Sequence, residues 1–223
     1  MSAFAPTVLA VGVVDERRIA GTSGVHVPWT QLGQNAPGDG RTFRAVFGRS
    51  DETFRRLDPA SRTLVLAGAA AGLPQVLPAG RAAETGLVVE TTLGCLDADL
   101  RFAASMTAGM CDGPVFAYTL PSTGLGELAL RHGLRGPTVC LSTMAAQRGA
   151  ALREAALLLA TGECDVVVAG LVDVLATPCD GVEAGCRTVL TVLASPRLAL
   201  TAVAPWPGED AAAYERLLAA VVG

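Results

Sequence analysis

The stretch from Gly136 to Gly170, GPTVCLSTMAAQRGAALREAALLLATGECDVVVAG, constrains the fold of this chain more than any other. An apolar run is followed by a turn, a helix-forming run, a glycine stop and a second apolar run. The spacing predicts a strand over Val139–Ser142, a helix over Ala145–Thr161 and a strand over Cys164–Ala169. Gly136-Pro137 forces a turn into the first strand, and Gly162 stands where a helix end takes a left-handed residue. The second apolar run is continuous, which suits a strand covered on both faces. In units built this way the residue entering the helix often carries the chemistry. Here that point reads Met144-Ala145-Ala146, with no acid, base or nucleophile.

The same alternation of strand and helix runs along the chain and predicts a layered α/β fold. Thr7 to Val14 reads as the first strand. IAGTSGVHVPWTQLGQNAPGDGR is rich in Gly, Pro and polar residues and reads as an irregular surface excursion. RSDETFRR reads as a short helix. Asp58 is placed as the N-cap, Pro59 as the first residue and Gly72 as the stop of a small-residue helix. TGLVVETTLG is a β-rich run, and DADLRFAASMTAG and the middle of PSTGLGELALRHGLRG are helical. CRTVLTVLAS and RLALTAVAPW read as two strands in a hairpin around Ser195-Pro196, and GEDAAAYERLLAAVVG as a closing helix. At 223 residues the chain is expected to form one domain, 1–223.

Several function classes are excluded early. All 17 basic residues are arginine, the net charge is −4, and no arginine run marks a nucleic-acid face or a landing patch for an acidic carrier. The absence of lysine removes lysine-based chemistry. Six cysteines without a C-x-x-C pair, beside two histidines, argue against a zinc site and read as reduced, buried, small apolar residues. No metal or cofactor is expected. No run of about 18 apolar residues exists, so no membrane span is expected. The N-terminus lacks the basic start of a signal peptide, so a cytoplasmic location is expected. Yet 51% of residues are hydrophobic, an excess that suits buried strands or a large subunit interface.

GLRGPTV, followed by TGECDVVVAG, resembles the β-ketoacyl synthases of the thiolase superfamily. FGRSDETFRRLDPASRTLVLAGAAAG and GPVFAYTLPSTGLGELALRHGLRGP extend the resemblance over most of Arg41 to Val174. It implies a thiolase-like layered fold, approximately the N-terminal half of a ketosynthase. In active members the helix after Gly-Pro begins with a cysteine, whose thiol the helix N-terminus activates toward acyl thioesters. Matching Gly136-Pro137 and Gly162-Glu163 without gaps puts Ala145 at that cysteine position. The family's two histidines lie in its C-terminal half; here no histidine follows His132.

The resemblance therefore implies a non-catalytic, chain-length-factor-like subunit, similar to those of aryl polyene and type II polyketide pathways. Its partners would be a catalytic β-ketoacyl synthase in a heterodimer and, through the complex, an acyl carrier protein. Phe116, Tyr118, Met144 and Gln147 are the tunnel or interface candidates. Residues 114–123 are expected to be extended, with Phe116 and Tyr118 on one face, and Met144 could plug the emptied pocket. Two alternatives stay open: a stand-alone thioesterase or acyltransferase using another nucleophile, and an acyl-carrier-binding scaffold. For the former, Cys140 reads as a structural thiol, and Ser142 and Thr143 as hydroxyls that bond the turn. His132 reads as a cation suited to a helix C-terminus, His26 as a loop residue, and Glu163 and Asp165 as cap and turn residues.

Overall fold

A computed structural model describes residues 4–29 and 40–222. One seven-stranded sheet runs through it in the order β3-β2-β1-β7-β6-β4-β5. The strands are β1 (Thr7–Asp15), β2 (Arg18–Gly21), β3 (His26–Pro28), β4 (Gly86–Thr91), β5 (Thr138–Ser142), β6 (Val166–Leu175) and β7 (Gly185–Ala194). β4 pairs parallel with β5 and β6, while β7 lies antiparallel between β6 and β1. β1, β4, β5 and β6 therefore share a direction, and their carboxyl ends meet on one side of the molecule.

Both faces of the sheet are covered. On one lie α2 (Pro59–Ala71) and α5 (Thr123–His132), with Val168 and Val172 of β6 pointing at them; on the other lie α6 (Ala150–Thr161) and α7 (Ala213–Val222), facing Val167 and Leu171. This explains the unbroken apolar runs of β6 and β7, whose alternate residues serve two separate cores. α2 begins at the expected cap: Asp58 accepts from the Ala60 and Ser61 amides, Pro59 follows, and Gly72 ends the helix at φ 87°. Its small residues let its backbone reach the sheet. A Cβ at Gly12 would lie 1.9 Å from the Ala67 carbonyl oxygen.

Five expectations are corrected. The excursion after β1 contains a hairpin, β2–β3, closed by the turn at Thr22–Gly24; residues 30–39 of that excursion lie outside the described residues. RSDETFRR holds only a single helical turn, Phe54–Arg56, and α1 (Gly40–Phe47) precedes it. β6 starts at Val166 rather than Cys164 and runs on to Leu175, returning as β7 through a loop that carries the short Cys179–Val182 bridge. RLALTAVAPW is not a strand, because both sides of β7 are already taken by β1 and β6; it makes one bridge, Val8 to Ala204. Residues 114–123 are not extended: Asp112 caps α4 (Gly113–Phe116) through the Val115 amide, and turns lead from there into α5.

Candidate functional site

The loop from Thr143 to Gly149 stands at the carboxyl end of β5. The expected helix over Ala145–Thr161 is interrupted there. Ala145–Gln147 form one 3-10 turn, Arg148 is extended, Gly149 adopts φ 97°, and α6 starts at Ala150. Only glycine suits Gly149, because φ is left-handed and a Cβ would lie 2.4 Å from the Glu209 carbonyl oxygen. Ala145 is thus five residues ahead of the helix that was expected to begin with it. Met144, Ala145, Ala146 and Gln147 are all exposed, Met144 at 67%. Within this chain Met144 plugs nothing.

Two buried carboxylates pin this exposed loop. Glu90 of β4 is fully buried. Its carboxylate accepts from the Gly149 amide (2.8 Å), the Ala150 amide (3.3 Å), the Thr143 hydroxyl (3.3 Å) and the Tyr214 hydroxyl of α7 (2.6 Å). Burial and the neighbouring Glu90 charge push the Tyr214 phenol well above its ordinary range, so it stays a donor. The first free amides of α6 and its positive end are therefore taken by the protein's own carboxylate. Asp173 of β6 accepts from the Thr91 hydroxyl and the Thr92 and Leu93 amides, and its other oxygen is 3.3 Å from the Arg148 guanidinium. Sequence reasoning missed Glu90, Asp173, Arg148 and Tyr214. The one available signal was two acids, Glu90 and Asp173, inside otherwise apolar strands.

Among the described residues, no nucleophile with a base is assembled around this loop. The Cys140 side chain is half-buried against the α2-side core, and burial raises its thiol, so it is a poor thiolate. Ser142 is exposed, and Thr143 bonds Glu90 as expected of a turn hydroxyl. His132 ends α5 on the other face of the sheet. Burial, then Arg131 and Arg49, lower its pKa to about 4, so it is neutral rather than the expected helix-end cation. His26 is in β3 and exposed. Asp165 pairs with Arg81 at 2.6 Å. Of the cysteines, Cys164 and Cys186 are buried as expected, whereas Cys111 is exposed. Among the described residues no group of three or more His, Cys, Asp or Glu could hold a metal, and no helix is long and apolar enough to cross a membrane.

A second exposed region lies on α3 (Leu96–Thr107) and α4. α3 buries only Asp97 and Ala98. Phe116, 59% exposed, meets Phe102 with ring centroids 5.2 Å apart, and Met106, Met110 and Leu120 are also exposed. Tyr118 instead packs half-buried against the core, so the two aromatics do not share a face. Tyr118 also borders a cleft of about 200 Å³ whose rim holds Arg55, Arg56, Arg62 and Arg101. These four arginines outnumber the two acids of the lining, Asp58 and Asp112, which cap α2 and α4, so positive charge is in excess. The expected lack of a basic patch is corrected: the fold gathers arginines that lie far apart in the chain.

The layered α/β sheet, with its parallel strands ending at the loop after β5, defines a thiolase-like fold. The profile of the β-ketoacyl synthase N-terminal domain matches residues 12–191, and the chain belongs to that family. The PKS-NRPS hybrid synthetase ATPKS of Aspergillus niger is 33% identical over 135 residues, covering 59% of this chain and 7% of that protein. The spectinabilin polyketide synthase system protein NorC of Streptomyces orinoci is 44% identical over 64 residues, 29% of this chain and 3% of that protein. The chain thus spans a small fraction of these relatives. Among solved structures, the ishigamide ketosynthase/chain length factor superposes with a TM-score of 0.64 at 16% identity, covering 90% of this chain and 64% of that one. The ketosynthase ApeO in complex with its chain length factor ApeC, from Xenorhabdus doucetiae, gives 0.54 at 17% identity, covering 64% of this chain and 60% of that one. AntDE:AntF, a type II acyl-carrier protein in complex with its ketosynthase, gives 0.61 at 17%, covering 88% and 64%.

Proposed function

We propose that this chain is a non-catalytic ketosynthase-like subunit that pairs with an active β-ketoacyl synthase and shapes its acyl tunnel in polyketide-type chain elongation. The observation that carries the reading is at the family's nucleophile position. Ala145 offers no reactive atom, it lies on an exposed 3-10 turn rather than at a helix start, and the start of α6 is occupied by Glu90. An acyl thioester would meet neither a thiolate nor free helix amides there.

Pairing is supported by β5. The Leu87 amide donates to Pro137 and the Thr143 amide to Thr91, so in a parallel ladder Val139 and Leu141 face β4. The amides and carbonyls of Thr138, Cys140 and Ser142 then point outward from an open edge. A partner strand completing that edge would make one sheet across two subunits. Met144, Gln147 and Phe116 are the exposed side chains available to such an interface. An acidic carrier protein docks on the cleft rimmed by Arg55, Arg56 and Arg101, where charge is complementary.

The test is intact-mass analysis of the purified chain, and of its Ala145→Cys variant, with an acyl thioester donor. No adduct is expected on either within the time an active ketosynthase is fully acylated. Acylation of the native chain at Cys140, Ser142 or Thr143 would sink the reading. Co-expression with a neighbouring ketosynthase, followed by size exclusion, tests the pairing directly.

A further inference from the structure

A cavity of about 470 Å³ opens at the carboxyl ends of β1 and β6. Ligands of open α/β sheets gather at that end of the strands. Four arginines border it from three separate segments: Arg17 and Arg18 from the β1–β2 turn, Arg148 from the loop before α6, and Arg187 from β7. We propose that this cleft binds a phosphate group.

Asp15 accepts from the Arg17 and Arg18 amides, Glu16 from the Cys186 amide, and Asp173 from the Thr92 and Leu93 amides. The three acids of the cleft thus hold backbone as well as facing arginines, and Arg187 pairs with Glu215 at 2.7 Å on the rim; the donors left over belong to Arg17, Arg18 and Arg148. The Arg17 guanidinium has no partner among the described residues, and it is exposed. The Nε atoms of Arg18 and Arg148 are buried without a hydrogen bond; Asp15 is 3.6 Å from the former, too far for one. Buried guanidinium N–H groups without acceptors are costly. A tetrahedral dianion reached from several directions satisfies them better than a monocarboxylate, which a single fork saturates. Leu93 and Leu218 supply an apolar wall, so the volume also accommodates a short organic stem.

The proposal goes beyond the subunit role, because binding of a phosphate here is read without any ketosynthase present. Isothermal titration calorimetry on the full chain at pH 7.5, with ionic strength held by chloride, tests it with inorganic phosphate and, separately, glycerol 3-phosphate. Saturable one-to-one binding is expected. Arg17→Ala and Arg18→Gln should each weaken it about tenfold, while Arg135→Ala, exposed and outside the cleft, should leave it unchanged. Equal affinity for the two probes assigns the seat to free phosphate, and tighter binding of the ester assigns it to a phosphate ester. Heats that never saturate with either probe overturn the proposal. So does a loss in Arg135→Ala as large as in Arg17→Ala, which would mean that the anion reads net charge rather than a site.

Discussion

The sheet has two edges, and they are finished differently. β3 has three residues. Gly21 donates to Val25 and Trp29 to Arg17, so His26 and Pro28 are the residues whose backbone faces away from β2. Pro28 has no N–H, which leaves that edge a single outward donor. β5 offers three, on Thr138, Cys140 and Ser142, with no proline inside the strand and exposed Met144 just beyond it. Short strands and proline are the usual ways of keeping an edge from pairing. One edge of this sheet is blunted and the other is left competent to pair, which is why the proposed partner is seated on β5.

The sharpest way to break the contrast is Cys140→Pro. It removes an outward N–H without touching the ladder to β4. It should weaken association with the ketosynthase partner about a thousandfold, ~4 kcal/mol, in analytical ultracentrifugation, while His26→Pro on the other edge leaves association unchanged. Equal effects would erase the distinction.

Next in size is a pH effect on the α5 end that feeds β5. His132 titrates near 4 in the folded chain against 6.5 ordinarily. As pH falls from 6.5 toward 4 the unfolded chain takes up a proton that the folded chain does not, so stability should drop by roughly 3 kcal/mol across that window. Urea titrations at pH 7 and 4.5 should show the loss in the native chain and a much smaller one in His132→Gln.

Tyr118→Ala comes third. A half-buried aromatic packed on the core should cost about 2 kcal/mol of folding stability, read by thermal melting. The smallest folding effect belongs to Phe116→Ala, under ~1 kcal/mol because the ring is largely exposed. In the assembled complex the same change should lengthen the product, detected by mass spectrometry. If product length is unchanged and assembly is normal, the tunnel wall does not include Phe116.

Much of this architecture was legible in the chain. The Asp58-Pro59 start and Gly72 end of α2, and the Gly162 stop of α6, are local chemistry, and each stands where it was read. The apolar runs of β6 and β7 announced a sheet covered on both sides. What stayed hidden depends on partners far away in sequence. QRGAALREAALLL reads as an unbroken helix, because a lone Gly149 is tolerable there; the break is imposed by Glu90 from 59 residues upstream and by the close approach of Glu209. RLALTAVAPW alternates like a strand, but β7, which it follows, already has β1 and β6 on its two sides. The arginine cleft beside Tyr118 could not be seen because Arg55 and Arg101 meet only after folding. Phe116 was misread for a local reason: the alternation of Val115, Phe116, Ala117 and Tyr118 outweighed the Asp112 cap that makes the segment helical.

The carboxylate at the start of α6 also bears on reversibility. If an ancestor carried a cysteine near residue 145, one codon change could restore the thiol but not its surroundings. Glu90 would still hold the helix amides, Tyr214 would still close over it, and Gly149 would still separate the turn from the helix. Removing Glu90 first would leave a buried phenol and two amides without an acceptor, a step that weakens the fold. On the proposed non-catalytic reading, the loss of Glu90 is harmful until the other changes are present, so the state acts as a ratchet. Libraries that revert residue 145 alone should yield no active clone, whereas active clones, if recovered, should carry changes at Glu90 and Gly149 together.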